Sequence, residues 1–306
     1  MDHNIIKTRK NRHFTSLETT IDTAAHRLLD RLPRHGFSGA LVEFLVFGLK
    51  QAWACLFGGL MLGLIILSKF LWTDASVLPH LITRYDFLFL AAITIQILML
   101  FCRLETWREM KIILIFHIVG TIMEIFKTHM GPWVYPEANF FRIGGVPLFS
   151  GFMYAAVGSY MARINRIFDI RLAHYPPLPL TFILVTAIYI NFFSHHYLPD
   201  IRWLLFSCTA LLFWRTSMHY RVFRFRHQMP LLLAFFLTSF FIWIAENIGT
   251  WSRVWLYPGQ HDQWVPVSLS KLGSWYLLMI ISVVLVTIIH PPRVPDDHQT
   301  GKSQGL

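Results

Sequence analysis

The sequence predicts an all-α fold, a polytopic membrane bundle of about eight transmembrane helices, and three observations carry that prediction. Hydrophobic residues make up 55% of the 306-residue chain and charged residues only 14%, against roughly a quarter charged in soluble domains. A soluble fold of this size would lack the polar residues to cover so much apolar surface. Eight apolar stretches each approach the ~20 residues needed to cross a hydrocarbon core of roughly 30 Å. Finally, 20 of the 27 lysines and arginines fall in the N-terminal segment, alternate loops and the C-terminal tail. That bias puts both termini in the cytoplasm, so the net charge of +10 is first a topology signal. Disorder and a disulfide scaffold are excluded by the same composition.

In chain order, residues 1–36 form a basic, amphipathic cytoplasmic segment. Thr15 and Glu18 have capping-box spacing, and Ile21, Ala25, Leu28, Leu29 and Leu32 then recur on one helical face, as in a helix lying on the membrane surface. Residues 37–290 are the membrane domain. Within it, 37–50 are too short to span alone and read either as an interfacial segment or as the first turns of a bent first span. The spans follow at about 51–72, 86–103, 109–128, 148–165, 177–194, 200–217, 229–250 and 268–289. Residues 291–306 read as a disordered cytoplasmic tail. Cys55, Cys102 and Cys208 have no CxxC spacing and read as small core hydrophobes. Arg84 and Asp86 read as a pair or as an interfacial anchor. The sixth loop, MHYRVFRFRHQM, mixes arginines with aromatics; beside a span this marks the positive-inside rule and contact with anionic lipids, and nucleic acid is not expected.

An internal repeat carries the polar residues. Glu124 is followed nine, eleven and twelve residues later by Trp133, Tyr135 and Pro136, and Glu246 at the same offsets by Trp255, Tyr257 and Pro258. Val146-Pro147 and Val265-Pro266 follow, at different distances. The first copy crosses spans three and four, the second spans seven and eight, which gives two parallel four-helix units at about 37–166 and 167–290.

A carboxylate inside a span is costly and usually faces a partner or water, so Glu124 and Glu246 are candidate catalytic groups. His117, at i−7 from Glu124, and His195 are the candidate bases; Trp133, Tyr135, Trp255 and Tyr257 are the candidate substrate-lining residues. A Lys127–Glu124 ion pair on one helix face and an ordinary interfacial aromatic belt would explain the same residues without chemistry. His195, His196 and Asp200 are candidate ligands for a divalent metal, although their spacing matches no tight ligand motif, and a solvated loop start is the simpler explanation. No P-loop, dinucleotide fingerprint or GxSxG elbow is present.

At these residues the chain resembles the bacterial integral membrane family called domain of unknown function 817. The likeness runs from FGLKQAWACLFGG at 47–59 to KLGSWYLLMIISVVLVT at 271–287, through RLETWREMK, HIVGTIMEIFKT, GGVPLFSGFMYAAVGSY, NFFSHHYLPDIRWLLF and AENIGT. It implies a bacterial cytoplasmic membrane protein and brings no established activity. Glu124, Tyr135 and Val146-Pro147, with their second-copy counterparts, also resemble carotenoid hydratase membrane proteins, which add water across an isoprenoid double bond. That likeness implies a membrane enzyme acting on a lipophilic, isoprenoid-like substrate through carboxylate acid/base chemistry, with aromatic faces stabilising a carbocation and no cofactor required. A transporter or permease, and a non-catalytic protein that organises membrane lipids or partners, are the alternatives.

Overall fold

The computed structural model describes residues 36–73, 81–289 and 291–293, with the single positions Glu18, Thr19, Thr23 and Val77. The N-terminal amphipathic helix and the C-terminal tail fall mostly outside these residues. Nine helices are described: α1 (Gly36–Ala54), α2 (Leu56–Leu71), α3 (Arg84–Phe101), α4 (Trp107–Met130), α5 (Phe149–Ile167), α6 (Leu178–Ser194), α7 (Arg202–Phe213), α8 (Leu231–Trp251) and α9 (Leu269–Ile289). A helix lies at each of the eight apolar stretches. Three of them, Arg84–Phe101, Leu231–Trp251 and Leu269–Thr287, are long and apolar enough to cross a membrane. The α1–α2 pair makes a fourth if counted as one span bent by 70°. That bend falls at Cys55 and resolves the 37–50 segment as a helix that leaves the axis of α2.

Local sequence sets the helix ends. Thr83 caps α3 by accepting from the Asp86 amide at 3.2 Å. Thr106 and Glu109 form a reciprocal capping box on α4, which satisfies two otherwise orphaned amides. Gly131, in the left-handed region at φ 82°, closes α4, a conformation that suits a residue without Cβ. Gly144 and Gly145, both with positive φ, make the two-residue turn between β1 (Arg142–Ile143) and β2 (Val146–Pro147). The first Val-Pro pair is therefore the returning strand of a hairpin.

Two small sheets qualify the all-α expectation. The sixth apolar stretch was expected to run to 217, but α7 stops at Phe213. The chain then forms β4 (Ser217–Arg221) and β5 (Arg226–Pro230), with β3 (Arg171–Ala173) pairing on β4. Basic and apolar residues alternate across this loop with a period of two, which suits a strand better than a helix.

The main core gathers α4 to α9 around Phe116, Phe213, Phe235 and Ile280. At the sheet end lies a buried polar cluster. Arg163, fully buried, donates to Glu105 at 3.2 Å, and Ser159 donates to the same carboxylate at 2.6 Å. Arg166 bridges Glu109 at 3.3 Å and Glu18 at 2.9 Å. The cysteines are free and accessible, not packed in the core, and Cys55 faces the cavity.

Candidate functional site

Glu124 lies two turns before the end of α4 and is buried. The left-handed residue Gly131 turns the chain back along its own helix. Trp133 Nε1–H and the Tyr135 hydroxyl then donate to Glu124 Oε2 at 2.9 and 2.8 Å. The Tyr154 hydroxyl, from α5, donates to Oε1 at 2.8 Å. Tyr154 reaches that position because Gly120 of α4 has no side chain; a Cβ there would collide with its ring.

Glu246, also buried, sits equivalently on α8. The reversal falls at Arg253, left-handed at φ 60° and seven residues beyond its glutamate, as Gly131 is beyond Glu124. The Tyr257 hydroxyl donates to Glu246 Oε1 and Trp275 Nε1–H of α9 to Oε2. Trp255, the counterpart of Trp133, does not reach the carboxylate. Its ring fills the space left by Gly249, where the first copy carries Lys127.

The two loops meet at their midpoints. Val134 and Leu256 exchange both backbone hydrogen bonds, at 2.9 and 3.0 Å, in an antiparallel bridge. The rings follow: Trp133 lies edge-on to Tyr257 with centroids 6.0 Å apart, and Tyr154 lies 6.2 Å from Trp275. Four aromatic rings thus stand between two carboxylates, each ring holding one carboxylate and facing a ring that holds the other.

The start of α3 anchors both loops. Arg84 pairs with Glu137 at 3.0 Å and donates to the Ser252 carbonyl at 2.9 Å. Tyr85 donates to the Val254 carbonyl at 2.7 Å, and Asp86 accepts from the Phe140 and Phe141 amides at 2.9 Å each. Arg84 and Asp86 therefore do not pair with each other. A residue on each repeat loop and the chain's first capped span make this an interlocked unit, which spacing along the chain does not reveal.

Lys127 does not pair with Glu124. Its ammonium lies 2.9 Å from His196 Nε2, 3.4 Å from His195 Nε2 and over the Phe192 ring at 4.1 Å. Burial first, and the Lys127 charge second, hold both imidazoles below the usual histidine range. Asp200 is tied to Asn191 at 3.0 Å and to Arg202. Burial pushes its carboxyl up, but these hydrogen bonds outweigh it and hold it below the usual range. Among the described residues, no three His, Cys, Asp or Glu side chains converge as a metal cluster.

His117 is not brought to the glutamates' cavity. Its ring packs on Phe152 at 4.5 Å against Gly151. Tyr154, Trp275 and Lys271, none of them singled out from the sequence, are at the site instead. Tyr154 and Trp275 stand 30 and 29 residues beyond their glutamates, so carrying the repeat into the next helix would have found them.

A cavity of about 1370 Å³ opens beneath the rings. Glu124, Glu246, Tyr154, Trp275, Lys127 and Lys271 line its head, and Ile188, Phe235, Ile242 and Leu278 its body. It continues to Asp169 and Arg293 at the sheet end. It exceeds the usual small-ligand pocket of roughly 300–1,000 Å³, and its carboxylates face an apolar chamber in which proton transfer to or from a lipophilic molecule is chemically feasible.

The family of proteins of unknown function DUF817 matches residues 43–283. The chain belongs to the DUF817 family. The matched segment contains both glutamates, the five rings that donate to them, Lys127, Lys271 and nearly all of the cavity. The uncharacterized protein YoaT of Bacillus subtilis (strain 168) is 43% identical over 247 residues, covering 81% of this chain and 91% of YoaT. No solved structure matches.

Proposed function

We propose that this DUF817 protein is an eight-span protein of the bacterial cytoplasmic membrane, with both termini inside, and that it acts on a lipophilic, isoprenoid-like substrate by carboxylate acid/base chemistry. Its membrane domain, 37–290, reads as two parallel four-helix units. The matching left-handed reversals at Gly131 and Arg253 and the symmetric Val134–Leu256 bridge support that duplication. The observation that carries the functional reading is the pairing of two buried glutamates, each held by a tyrosine hydroxyl and an indole N–H, at the head of a large apolar cavity.

The two carboxyls take separate roles, one as the acid and the other as the base. The acid protonates a carbon–carbon double bond. The faces of Tyr154 and Trp275 stabilise the carbocation. The second carboxylate takes a proton from the attacking water, and the net change is addition of one water. His195 lies at the cavity wall as an alternative base, whereas His117 has no route to it. Trp255 supports the site by packing on Gly249.

The test is mass spectrometry of total lipids from a deletion strain, restored with wild type, Glu124→Gln or Glu246→Gln, with membrane levels of each protein checked. A lipid that differs by one water, present with wild type and absent with either variant, supports the enzyme. An unchanged profile overturns it. One observation favours transport instead: the cavity reaches charged residues at both ends. Proteoliposomes that show glutamate-dependent uptake without altering any lipid would decide for that reading.

A further inference from the structure

Two lysines stand at the cavity head within electrostatic reach of Glu124, Glu246 and Asp200, but in ion-pair contact with none of them. Lys127 and Lys271 both line the cavity, and neither makes an ion pair among the described residues. An ammonium carries three N–H donors and no acceptor. Lys127 aims at two imidazole nitrogens, which bring no negative charge. The Lys271 ammonium lies over the faces of Trp133 and Tyr257, 4.9 and 4.4 Å from their centroids, and has no hydrogen-bond acceptor among the described residues. Lys127 is only 3% exposed, and charges taken out of water need partners.

The nearby acidic groups are already engaged. Glu124 receives three donors and Glu246 two, none of them a lysine. Asp200 is held by Asn191 and Arg202. His195 Nδ1 donates to the Asn191 carbonyl at 3.0 Å, which leaves Nε2 as an acceptor facing the Lys127 ammonium.

We propose that Lys127 and Lys271 form the head-group subsite for a long-chain phosphate monoester, whose isoprenoid tail fills the apolar body of the cavity. The phosphate class follows from the donors. A phosphate monoester offers three terminal oxygens to two ammoniums with open N–H groups, whereas a fatty carboxylate offers two. Lysine binds phosphate as a point charge, and the open donors on both ammoniums supply the hydrogen bonds. The tail follows from the side chains below the lysines, Ile188, Phe235, Ile242 and Leu278, which offer a polar molecule nothing. The subsite rests on the substrate reading above and narrows it to an amphiphile anchored by its head, with its nearest double bond held at the level of the two carboxyls.

The test is equilibrium binding to the full chain in a nonionic detergent, with farnesyl phosphate, farnesol and inorganic phosphate as probes. The expected result is saturable farnesyl phosphate binding, at least tenfold tighter than farnesol and tighter still than inorganic phosphate. Lys127→Gln with Lys271→Gln is expected to abolish the preference for phosphate over alcohol. Lys271→Arg, which keeps the charge, is expected to retain it and to control for folding, along with the elution profile and thermal midpoint of each protein.

Equal binding of phosphate and alcohol overturns the proposal, as does a preference that survives the double variant. Inorganic phosphate binding as tightly as the lipid phosphate also overturns it, because the site then takes the free ion. The two readings fail separately. A retained phosphate preference with an unchanged lipid profile sinks the water-addition reading alone. A lost preference with the profile still changing sinks this subsite alone.

Discussion

Val134 and Leu256 each stand ten residues beyond a buried glutamate, and each donates its amide to the other's carbonyl. A symmetric pair of bonds between equivalent positions couples the two glutamate loops at one point. Proline at either position deletes one amide and leaves a carbonyl without its donor, at a cost of about 1–3 kcal/mol for a buried group. Val134→Pro and Leu256→Pro are both expected to lower the thermal midpoint in detergent, Leu256→Pro by more because its side chain is also buried. A loss confined to one of them would show that the loops are held independently, chiefly by the Arg84 and Asp86 anchors.

The indole donors are expected to matter in proportion to the charge they serve. Trp133→Phe and Trp275→Phe keep the ring and remove one hydrogen bond to a carboxylate, which is worth about 1.5–3 kcal/mol when the acceptor is ionised. Trp255→Phe keeps the ring and removes no such bond. Thermal unfolding should therefore rank the first two well below the third. Equal losses would mean that the rings act by packing alone.

Gly120 and Gly249 are expected to resist enlargement. A Cβ at Gly120 meets the Tyr154 ring and one at Gly249 the Trp255 ring, and overpacking of this kind costs about 1–3 kcal/mol. At Gly63 of α2 a Cβ meets nothing within 4 Å, so Gly63→Ala should be neutral or stabilising by about 0.5–1 kcal/mol through helix propensity. Thermal midpoints of the three alanine variants check the contrast.

These sites show what can be read from a linear sequence. The helices lie where apolar composition puts them, because that composition reports burial or lipid contact and survives any change of packing. Glu124 with Trp133 and Tyr135 is legible too, since a helix end followed by a tight reversal keeps the partners within eleven residues. Trp255 breaks the analogy. Gly249 replaces the Lys127 of the first copy, and the ring drops into the vacated space, a substitution visible in sequence whose packing consequence is not. Arg84 with Glu137 joins the start of α3 to a distant loop that has no counterpart in the second copy, so no periodicity marks it. Lys127 at i+3 reads as a partner of Glu124, but its ammonium lies against the His195–His196 pair just beyond α6.

The Arg163–Glu105 pair at the sheet end predicts strong non-additivity. Both side chains are 1% exposed, so removing either partner leaves an uncompensated charge in the core, at about 3–5 kcal/mol. Arg163→Met and Glu105→Gln should each destabilise by that order. The double variant should cost less than the sum, because neither charge then remains. Unfolding in a double-mutant cycle measures the difference, and additive losses would show the two groups acting through Leu104, Gln96 and Ser159 separately.

His195 and His196 predict a direction for the pH dependence of stability. Both ionise below the unfolded histidine value of 6.5, because burial and the Lys127 ammonium oppose a second positive charge. Arg202 opposes it further at His195 and Lys271 at His196, while Asp200 favours protonation of His195. A depressed folded value means that the unfolded chain takes up these protons first. The stability the pair contributes is therefore fully present above pH 6.5 and is lost as pH falls through their lower folded values. The expected slope is shallow, since both rings are partly open to solvent. Thermal midpoints of wild type should fall between pH 7 and pH 5 more steeply than those of a His195→Asn, His196→Asn double variant. Parallel curves would show that the imidazoles are already protonated beside Lys127, and the Lys127 ammonium would then have to find its acceptor elsewhere in the cavity.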